Sequence, residues 1–351
     1  MGSSKFVTIN GTRFGGNAPV RVESMLKTPL SDAEGCAGEL DELSKSGCEL
    51  VRIAFPDESC KADLKYLIGV SKVPIMADIH FNHKFAIAAL DCGVSSIRIN
   101  PGNMTSVEGL ASVLAVARAN GAVIRIGANG GSLNNKQIAA ANGDRASALA
   151  AAVEEQLGLL VDAEFEYIVI SAKSSSVNET ARANFMLSAK YPYPMHIGIT
   201  EAGSGIDGAV KSAVGLGLLL GQGIGDTMRV SLTGDSKTEV EVAYSILRSL
   251  DMRKRGVNLI SCPGCGRRRV DVAELVARVK AVIPDPAPDG LDIAVMGCEV
   301  NGPREAASAD IGIAGTESGF VLFERGVPVL SGSPGELEES FTRRLREFLI
   351  K

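Results

Sequence analysis

The chain reads as an α/β protein, a TIM-type (β/α)8 barrel over residues 1–255 with a small α+β domain over residues 256–351. Three features lead there. Eight short apolar runs rich in Val and Ile recur between residues 20 and 232. Stretches with helical periodicity and their own start and stop signals separate them. Beyond a charged, glycine-containing turn, MRKRGVNLI (252–260), the strict alternation ends and several strands follow one another. Strands buried on both faces read as continuous apolar runs, and eightfold strand–helix alternation at this length closes into a barrel. A doubly wound open sheet is the competing arrangement.

VRVESM (20–25) opens the series. Ser31-x-x-Glu34 has the form of a capping box, after which Cys36, Leu40 and Leu43 share one helical face until Gly47 stops the turn. LVRIAF (50–55), VPIMADIH (73–80) and SSIRIN (95–100) come next. Thr105-x-x-Glu108 repeats the capping device for a helix that ends at Asn120-Gly121. VIRIGA (123–128), YIVISA (167–172), MHIGIT (195–200) and TMRVSL (227–232) complete the eight. GLGLLLGQG (215–223) looks like a nucleotide-binding loop, but it follows a helical stretch and lacks the fingerprint spacing, so it reads as a helix end. Asp235 caps the last barrel helix. The tail offers a helix at DVAELVARVKAVI, a break at PDPAPDG, strands at LDIAVMG, DIGIAG, FVLFER and VPVL, and a final helix at GELEESFTRRLREFLI.

Composition narrows the function classes. With 36 basic against 41 acidic residues the net charge is −5, so nothing points to nucleic acid or an anionic membrane. No apolar run approaches the ~18 residues of a membrane span. MGSS is set aside as a tag-like scar. MGSSKFVTIN lacks a long apolar core before a cleavage site, so export is not expected, and Phe6 breaks the myristoylation pattern. Seven cysteines make an odd count, and Cys36, Cys48, Cys60 and Cys92 are expected reduced and buried. A cytoplasmic protein is expected.

Polar residues gather where a barrel keeps its chemistry, at the carboxyl ends of strands. Arg52 lies on the second run, Asp78 and His80 on the third, and Arg98 and Asn100 on the fourth. Arg125 and Asn129 follow on the fifth, Lys173 after the sixth, Glu201 after the seventh, and Arg229 and Ser231 on the eighth. One arginine at a strand end is ordinarily a rim salt bridge. The same sign at so many ends is not explained that way. Burying such charges is costly without an anion, and guanidinium suits phosphate oxygens. Glycines at Pro101-Gly102-Asn103, Asn129-Gly130-Gly131-Ser132 and Gly203-Ser204-Gly205 could bare backbone N–H groups to phosphate. A substrate with one or two phosphate groups is expected. His83 and His196 are read as structural.

The tail carries Cys262-x-x-Cys265 and Cys298. It has no histidine and no fourth cysteine. A redox dithiol, a zinc site and an iron–sulfur cluster with one non-thiolate ligand all fit this spacing, the oxygen coming from Glu299 or Glu305.

Seven stretches, ADIHF, RINPGN, GITEAG, VKSAVGLGLLL, GIGDTMRVSL, CPGC and GCEVNGPREA, stand in order along nearly the whole chain. Together they resemble the 4-hydroxy-3-methylbut-2-enyl diphosphate synthase family of the methylerythritol phosphate route to isoprenoids. The resemblance implies a homodimer of two-domain chains, the cluster domain of one subunit capping the barrel of the other. It implies a [4Fe-4S] cluster held by Cys262, Cys265, Cys298 and Glu305. The substrate would be 2-C-methyl-D-erythritol 2,4-cyclodiphosphate, reductively dehydroxylated with electrons from reduced flavodoxin or ferredoxin. Arg52, His80, Arg98, Arg125, Lys173 and Arg229 would hold the diphosphate, with Asn100, Asn129 and Ser231 assisting. Glu201 would be the general acid, and Asn301 would bond the same region. Arg267, Arg268 and Arg269 could dock an acidic electron carrier, or simply be a solvated basic turn. Arg304 stands where the family has glycine, Asn82 where aspartate is common, and Gly130 where alanine is common. Two other readings remain open on the residues alone: a barrel transferase with a zinc-stabilised tail, and a non-enzymatic phosphometabolite-binding barrel.

Overall fold

A computed structural model describes residues 3–80, 82–100, 107–300 and 302–350. The chain divides into two compact units, Met1–Met252 and Arg253–Lys351.

The first unit opens with a hairpin, β1 (Phe6–Ile9) and β2 (Thr12–Gly15). Then come β3 (Arg21–Met25), α1 (Ala33–Ser46), β4 (Leu50–Ala54), α2 (Lys61–Val70), β5 (Ile75–Asp78), α3 (His83–Asp91), β6 (Ser96–Ile99) and α4 (Val107–Ala119). β7 (Val123–Asn129), α5 (Asn135–Ala140), α6 (Arg145–Asp162), β8 (Ile168–Lys173), α7 (Val177–Lys190) and β9 (His196–Ile197) continue the alternation. β10 (Gly203–Ser204), α8 (Gly205–Leu220), β11 (Thr227–Met228), β12 (Leu232–Thr233) and α9 (Ser236–Ser249) complete the unit.

Eight of these strands form one parallel sheet, β8-β7-β6-β5-β4-β3-β11-β9. A parallel bridge between Ile170 and Met195 joins its two edge strands, so the sheet closes. That decides for the barrel over an open sheet. Outward side chains such as Val51, Ile53, Ala77, Ile97, Ile124 and Ile170 pack under the helices in one large core.

Local chemistry matches the expected signals with corrections. The first helix is capped by Asp32, not Ser31, its carboxylate accepting from the Gly35 N–H at 3.0 Å. Asp32 lies one residue closer to the first helical turn and outcompetes the serine. Gly47 ends that helix at φ 94°, in the left-handed region. Thr105 and the Pro101-Gly102-Asn103 stretch lie outside the described residues. GLGLLLGQG ends α8, as expected of a helix terminus. The last two apolar runs are strand only in part, because their later residues leave the ladder to line the barrel mouth. Cys36, Cys48, Cys60 and Cys92 are buried free thiols.

The second unit is a five-stranded sheet, β13 (Val257–Ser261), β14 (Leu291–Met296), β15 (Ile311–Thr316), β16 (Gly319–Glu324) and β17 (Val327–Gly332), in that spatial order. The first three strands are parallel and the last two antiparallel. β13 corrects the reading of residues 252–260 as a turn: VNLIS is a half-buried edge strand whose asparagine breaks the apolar run. α10 (Val272–Val282) and α12 (Pro334–Leu349) share one apolar core with Leu291, Ile293 and Val295. α11 (Gly302–Ala307) packs on the other face against Ala294, Met296 and Ala314. This helix starts at Gly302. Gly302 allows it, since a Cβ there would sit 2.9 Å from the Ala314 Cβ.

Candidate active site

Period-two alternation sends one set of side chains from each barrel strand inward. On β4 these are Leu50 then Arg52, on β7 Val123, Arg125 and Gly127, and on β8 Val169, Ser171 and Lys173. The first of each set makes the floor. There the β1–β2 hairpin packs Val7, Ile9 and Phe14 against Leu50, Met76, Val123 and Val169. The later ones are polar and reach the carboxyl end, where they line a cavity of about 260 Å³. That is room for a small molecule, since one water takes about 30 Å³.

Nine residues singled out from the sequence meet in this wall: Arg52, Asp78, His80, Arg98, Arg125, Asn129, Lys173, Arg229 and Ser231. Asn100, half-buried just past β6, is outside the wall. Glu201 is also outside it; it is exposed, with a left-handed backbone (φ 51°), and directly follows the wall residue Thr200. Asn301 lies outside the described residues.

Three buried carboxylates answer the cations, and two of them, Glu23 and Glu239, carried no role in the sequence reading. Asp78 stands 3.4 Å from Arg98, 3.6 Å from Arg52 and 3.6 Å from His80. Burial works to raise its ionisation, but the His80 hydrogen bond and both arginines outweigh it and hold it well below the usual carboxylate range. Burial draws the Arg52 guanidinium down to about 10 although Asp78 opposes the change. Glu239, on α9, takes Arg229 at 3.2 Å and Lys27 at 3.2 Å. Glu23, on β3, pairs with Arg125, both about 1% exposed. Five cations against three carboxylates leave the mouth positive if all are charged, so an anionic ligand suits it.

His196, read from the sequence as structural, is also a wall residue. It is buried yet lines the cavity, with Nε2 2.6 Å from Lys173 Nζ. Burial, then the charges of Arg125 and Lys173, push its ionisation well below the usual histidine range, so the ring is neutral. Lys173 is likewise pushed far down, first by burial and then by Arg125 and Arg52. Gly198 makes room for it, because a Cβ there would sit 3.2 Å from Lys173 Nζ and 2.8 Å from the Arg229 carbonyl oxygen. No motif marks Glu23, Glu239 or His196. The available signal was their place on strands or a helix already assigned to the barrel.

In the second unit, Cys262 and Cys298 follow β13 and β14, which pair in parallel from Val257–Leu291 to Ser261–Val295. Cys262 and Cys298 are half-buried and Cys265 is exposed; all three are free thiols. The Gly297 N–H donates to Cys262 Sγ at 3.2 Å, and a Cβ on Gly297 would sit 3.1 Å from that sulfur. Among the described residues no three His, Cys, Asp or Glu side chains gather around one point as a single-ion site needs. Of the two candidate oxygen ligands, Glu299 is held by Arg269 at 3.1 Å, whereas Glu305 is exposed on α11 beside exposed Arg304. Arg269 also pairs with Glu317 at 2.9 Å, so of the three consecutive arginines it is committed internally, while Arg267 and Arg268 are exposed.

Comparison with known proteins adds the decisive observation. The GcpE TIM-barrel domain matches residues 4–244, and the GcpE protein C-terminal domain matches residues 258–347. The chain belongs to the GcpE family. A relative from Desulfotalea psychrophila, named 4-hydroxy-3-methylbut-2-en-1-yl diphosphate synthase (flavodoxin), is 44% identical over 98% of this chain and 95% of its own. The relative of the same name from Geobacter sulfurreducens is 40% identical over 98% of both chains. Among solved structures, dihydropteroate synthase of Yersinia pestis aligns with TM-score 0.50 at 12% identity, over 71% of this chain and all of its own. N-acetylneuraminic acid synthetase of Leptospira borgpetersenii aligns with TM-score 0.50 at 13% identity, over 79% and 95%. At such identities these two speak for the fold alone. Two departures from the GcpE pattern have local explanations. Asn82 caps α3 by accepting from the Lys84 N–H at 2.9 Å, which an aspartate would do equally well. Gly130 sits where a Cβ would come 2.7 Å from Ser174 Oγ.

Proposed function

We propose that the chain converts 2-C-methyl-D-erythritol 2,4-cyclodiphosphate to 4-hydroxy-3-methylbut-2-enyl diphosphate, a two-electron reductive ring opening in which oxygen leaves as water. The observation that carries this is a cationic barrel cavity in a chain matched end to end by synthases of that product. In this reading Arg52, His80, Arg98, Arg125, Lys173 and Arg229 bind the two phosphoryl groups, and Asn129 and Ser231 complete the cradle. Bidentate guanidinium contacts fix the ring's orientation. Asn100 assists the diphosphate contacts, and Asn301, three residues past Cys298, would bond the same region from the cluster side. Glu201 supplies the proton to the leaving oxygen, which requires its exposed side chain to turn toward the cavity it borders.

The tail's donor set fits a [4Fe-4S] cluster. Three accessible thiols lie at or near the carboxyl ends of two adjoining strands, and a backbone amide already donates to one sulfur, an interaction that tunes such centres. Cys262, Cys265, Cys298 and the exposed carboxylate Glu305 would hold it. When bound, the cluster supplies electrons one at a time from reduced flavodoxin, with ferredoxin the alternative donor. Exposed Arg267 and Arg268 offer charge for docking such an acidic carrier. The same reading includes a homodimer with an active site shared between subunits, and a cytoplasmic location, where thiols stay reduced. No described helix is long and apolar enough to cross a membrane.

Anaerobic purification tests the proposal. A brown protein absorbing broadly near ~400 nm, with iron and sulfide, is expected. Glu305→Ala should alter that spectrum and sharply reduce turnover. Glu201→Gln should leave the spectrum intact and abolish turnover. A colourless protein that binds zinc and no iron would reject the assignment.

A further inference from the structure

Four buried groups form a continuous array under the cavity. Lys173 Nζ lies 2.6 Å from His196 Nε2, His196 Nδ1 lies 3.7 Å from Glu23 Oε2, and Glu23 Oε2 bonds the Arg125 guanidinium. A nitrogen–nitrogen contact that short requires a hydrogen between them. A charged lysine has only donors, so Nε2 must then accept and Nδ1 must carry the ring hydrogen. That hydrogen faces Thr227 Oγ1 at 3.4 Å and the Glu23 carboxylate beyond it. Glu23 therefore favours the tautomer that a charged Lys173 needs. Glu23 Oε1 and Arg125 Nη2 are buried with no hydrogen-bond partner among the described residues, so the array is not locked by further contacts.

We propose that Glu23 is a positioning residue: through Arg125 and His196 it holds Lys173 ready to take up a proton when an anion enters the cavity. The inference rests on the diphosphate reading above. Facing Lys173 are Arg125, Arg52 and Arg229, which oppose its charge, and Glu23, which supports it. Asp78 is shared by Arg52 and Arg98, Glu239 by Arg229 and Lys27, and His80 is the remaining titratable group at the rim. With the cavity empty, burial and the three arginines push the lysine's ionisation far down. An entering dianion reverses that field, and the amine protonates.

The test is calorimetric. 2-C-methyl-D-erythritol 2,4-cyclodiphosphate is titrated into the full chain carrying its cofactor, without reductant, at pH 8 in buffers of different ionisation enthalpy. Each phosphoryl group of this ring has one strongly acidic hydroxyl, so the ligand itself does not titrate there. The native protein should take up about one proton per ligand, and Lys173→Met none. Glu23→Gln keeps the shape but removes the supporting charge, so its affinity should begin to fall about one pH unit lower. Glu23→Asp should move that profile back toward native. Binding without proton uptake overturns this inference alone, as does equal uptake by Lys173→Met, which would assign the proton to another group such as His80. A Glu23→Gln profile merely lower at every pH overturns it too. No binding by the native protein at any pH overturns the functional reading, and this inference with it.

Discussion

Glu239 is the perturbation with the clearest expected cost. Its buried carboxylate accepts from Ser24 Oγ at 3.0 Å and the Leu232 N–H at 3.1 Å, and it faces Arg229 at 3.2 Å and Lys27 at 3.2 Å. It thus ties α9 to β3, to β12 and to a cation of the cavity wall. Glu239→Ala strands Arg229, whose side chain is only 12% exposed, takes the side-chain acceptor from the buried Leu232 N–H, and leaves Ser24 Oγ only the Ser236 carbonyl at 3.5 Å. Removing one partner of a buried ion pair costs about 3–5 kcal/mol. For a unit of this size each kcal/mol lowers the melting temperature by about 2–4 °C, so the loss should be roughly 6–20 °C. Glu239→Gln keeps an acceptor oxygen and loses only the charge, and should fall between the two. Combining Glu239→Gln with Arg229→Met removes both charges and should recover part of the loss, although anion binding does not return. Circular dichroism melts of the native protein, both Glu239 variants, Arg229→Met alone and the double variant make the comparison. A change below about 2 °C for Glu239→Ala, or strictly additive single and double variants, would refute the assignment of Glu239 as the anchor of this wall.

Other outcomes follow from the same geometry. The folded-state ionisation of Asp78 lies below the unfolded value of about 3.9, so its contribution is present above that pH and lost as pH falls through the folded value. The urea midpoint difference between native protein and Asp78→Asn should therefore be constant from pH 8 to about 5 and shrink below about 4. Asp235→Ala removes the cap that accepts from the Thr238 N–H at 2.6 Å, and chemical denaturation should show a loss of about 1 kcal/mol. Burial pushes the Cys36 thiol up to about 11 and the Cys48 thiol up to about 12. Brief native alkylation at pH 8 of cluster-free protein, read by mass spectrometry, should label Cys262, Cys265 and Cys298 and leave Cys36 and Cys48 unmodified.

Much of the fold was legible before any coordinates. Val/Ile runs such as LVRIAF and VIRIGA are continuous because a barrel strand is buried on both faces. Cys36, Leu40 and Leu43 declared the buried face of α1, and Gly47 and Asp235 marked ends whose chemistry is local. The cationic mouth was legible for the same reason. Alternation with period two puts Arg52 two residues above Leu50 and Arg125 two above Val123, so inward arginines can be counted from the strand alone. The seven family stretches carried the rest of that reading, since a long motif constrains its neighbourhood more than any one side chain does.

Tertiary structure decided what depends on groups distant in the chain. Whether the sheet closes rests on Ile170 meeting Met195. Residues 257–261 became a strand because Leu291–Val295 lay beside them to pair with, not because their own pattern demanded it. Glu23 and Arg125 are 102 residues apart, and Ser24 and Glu239 are 215 apart. No local rule announces that such carboxylates will neutralise such cations, or that His196 will share a hydrogen with Lys173. Electrostatics acts through space and burial is a property of the whole packed barrel. The amino-acid order could therefore name the charges, but only the closed fold could say which of them face one another.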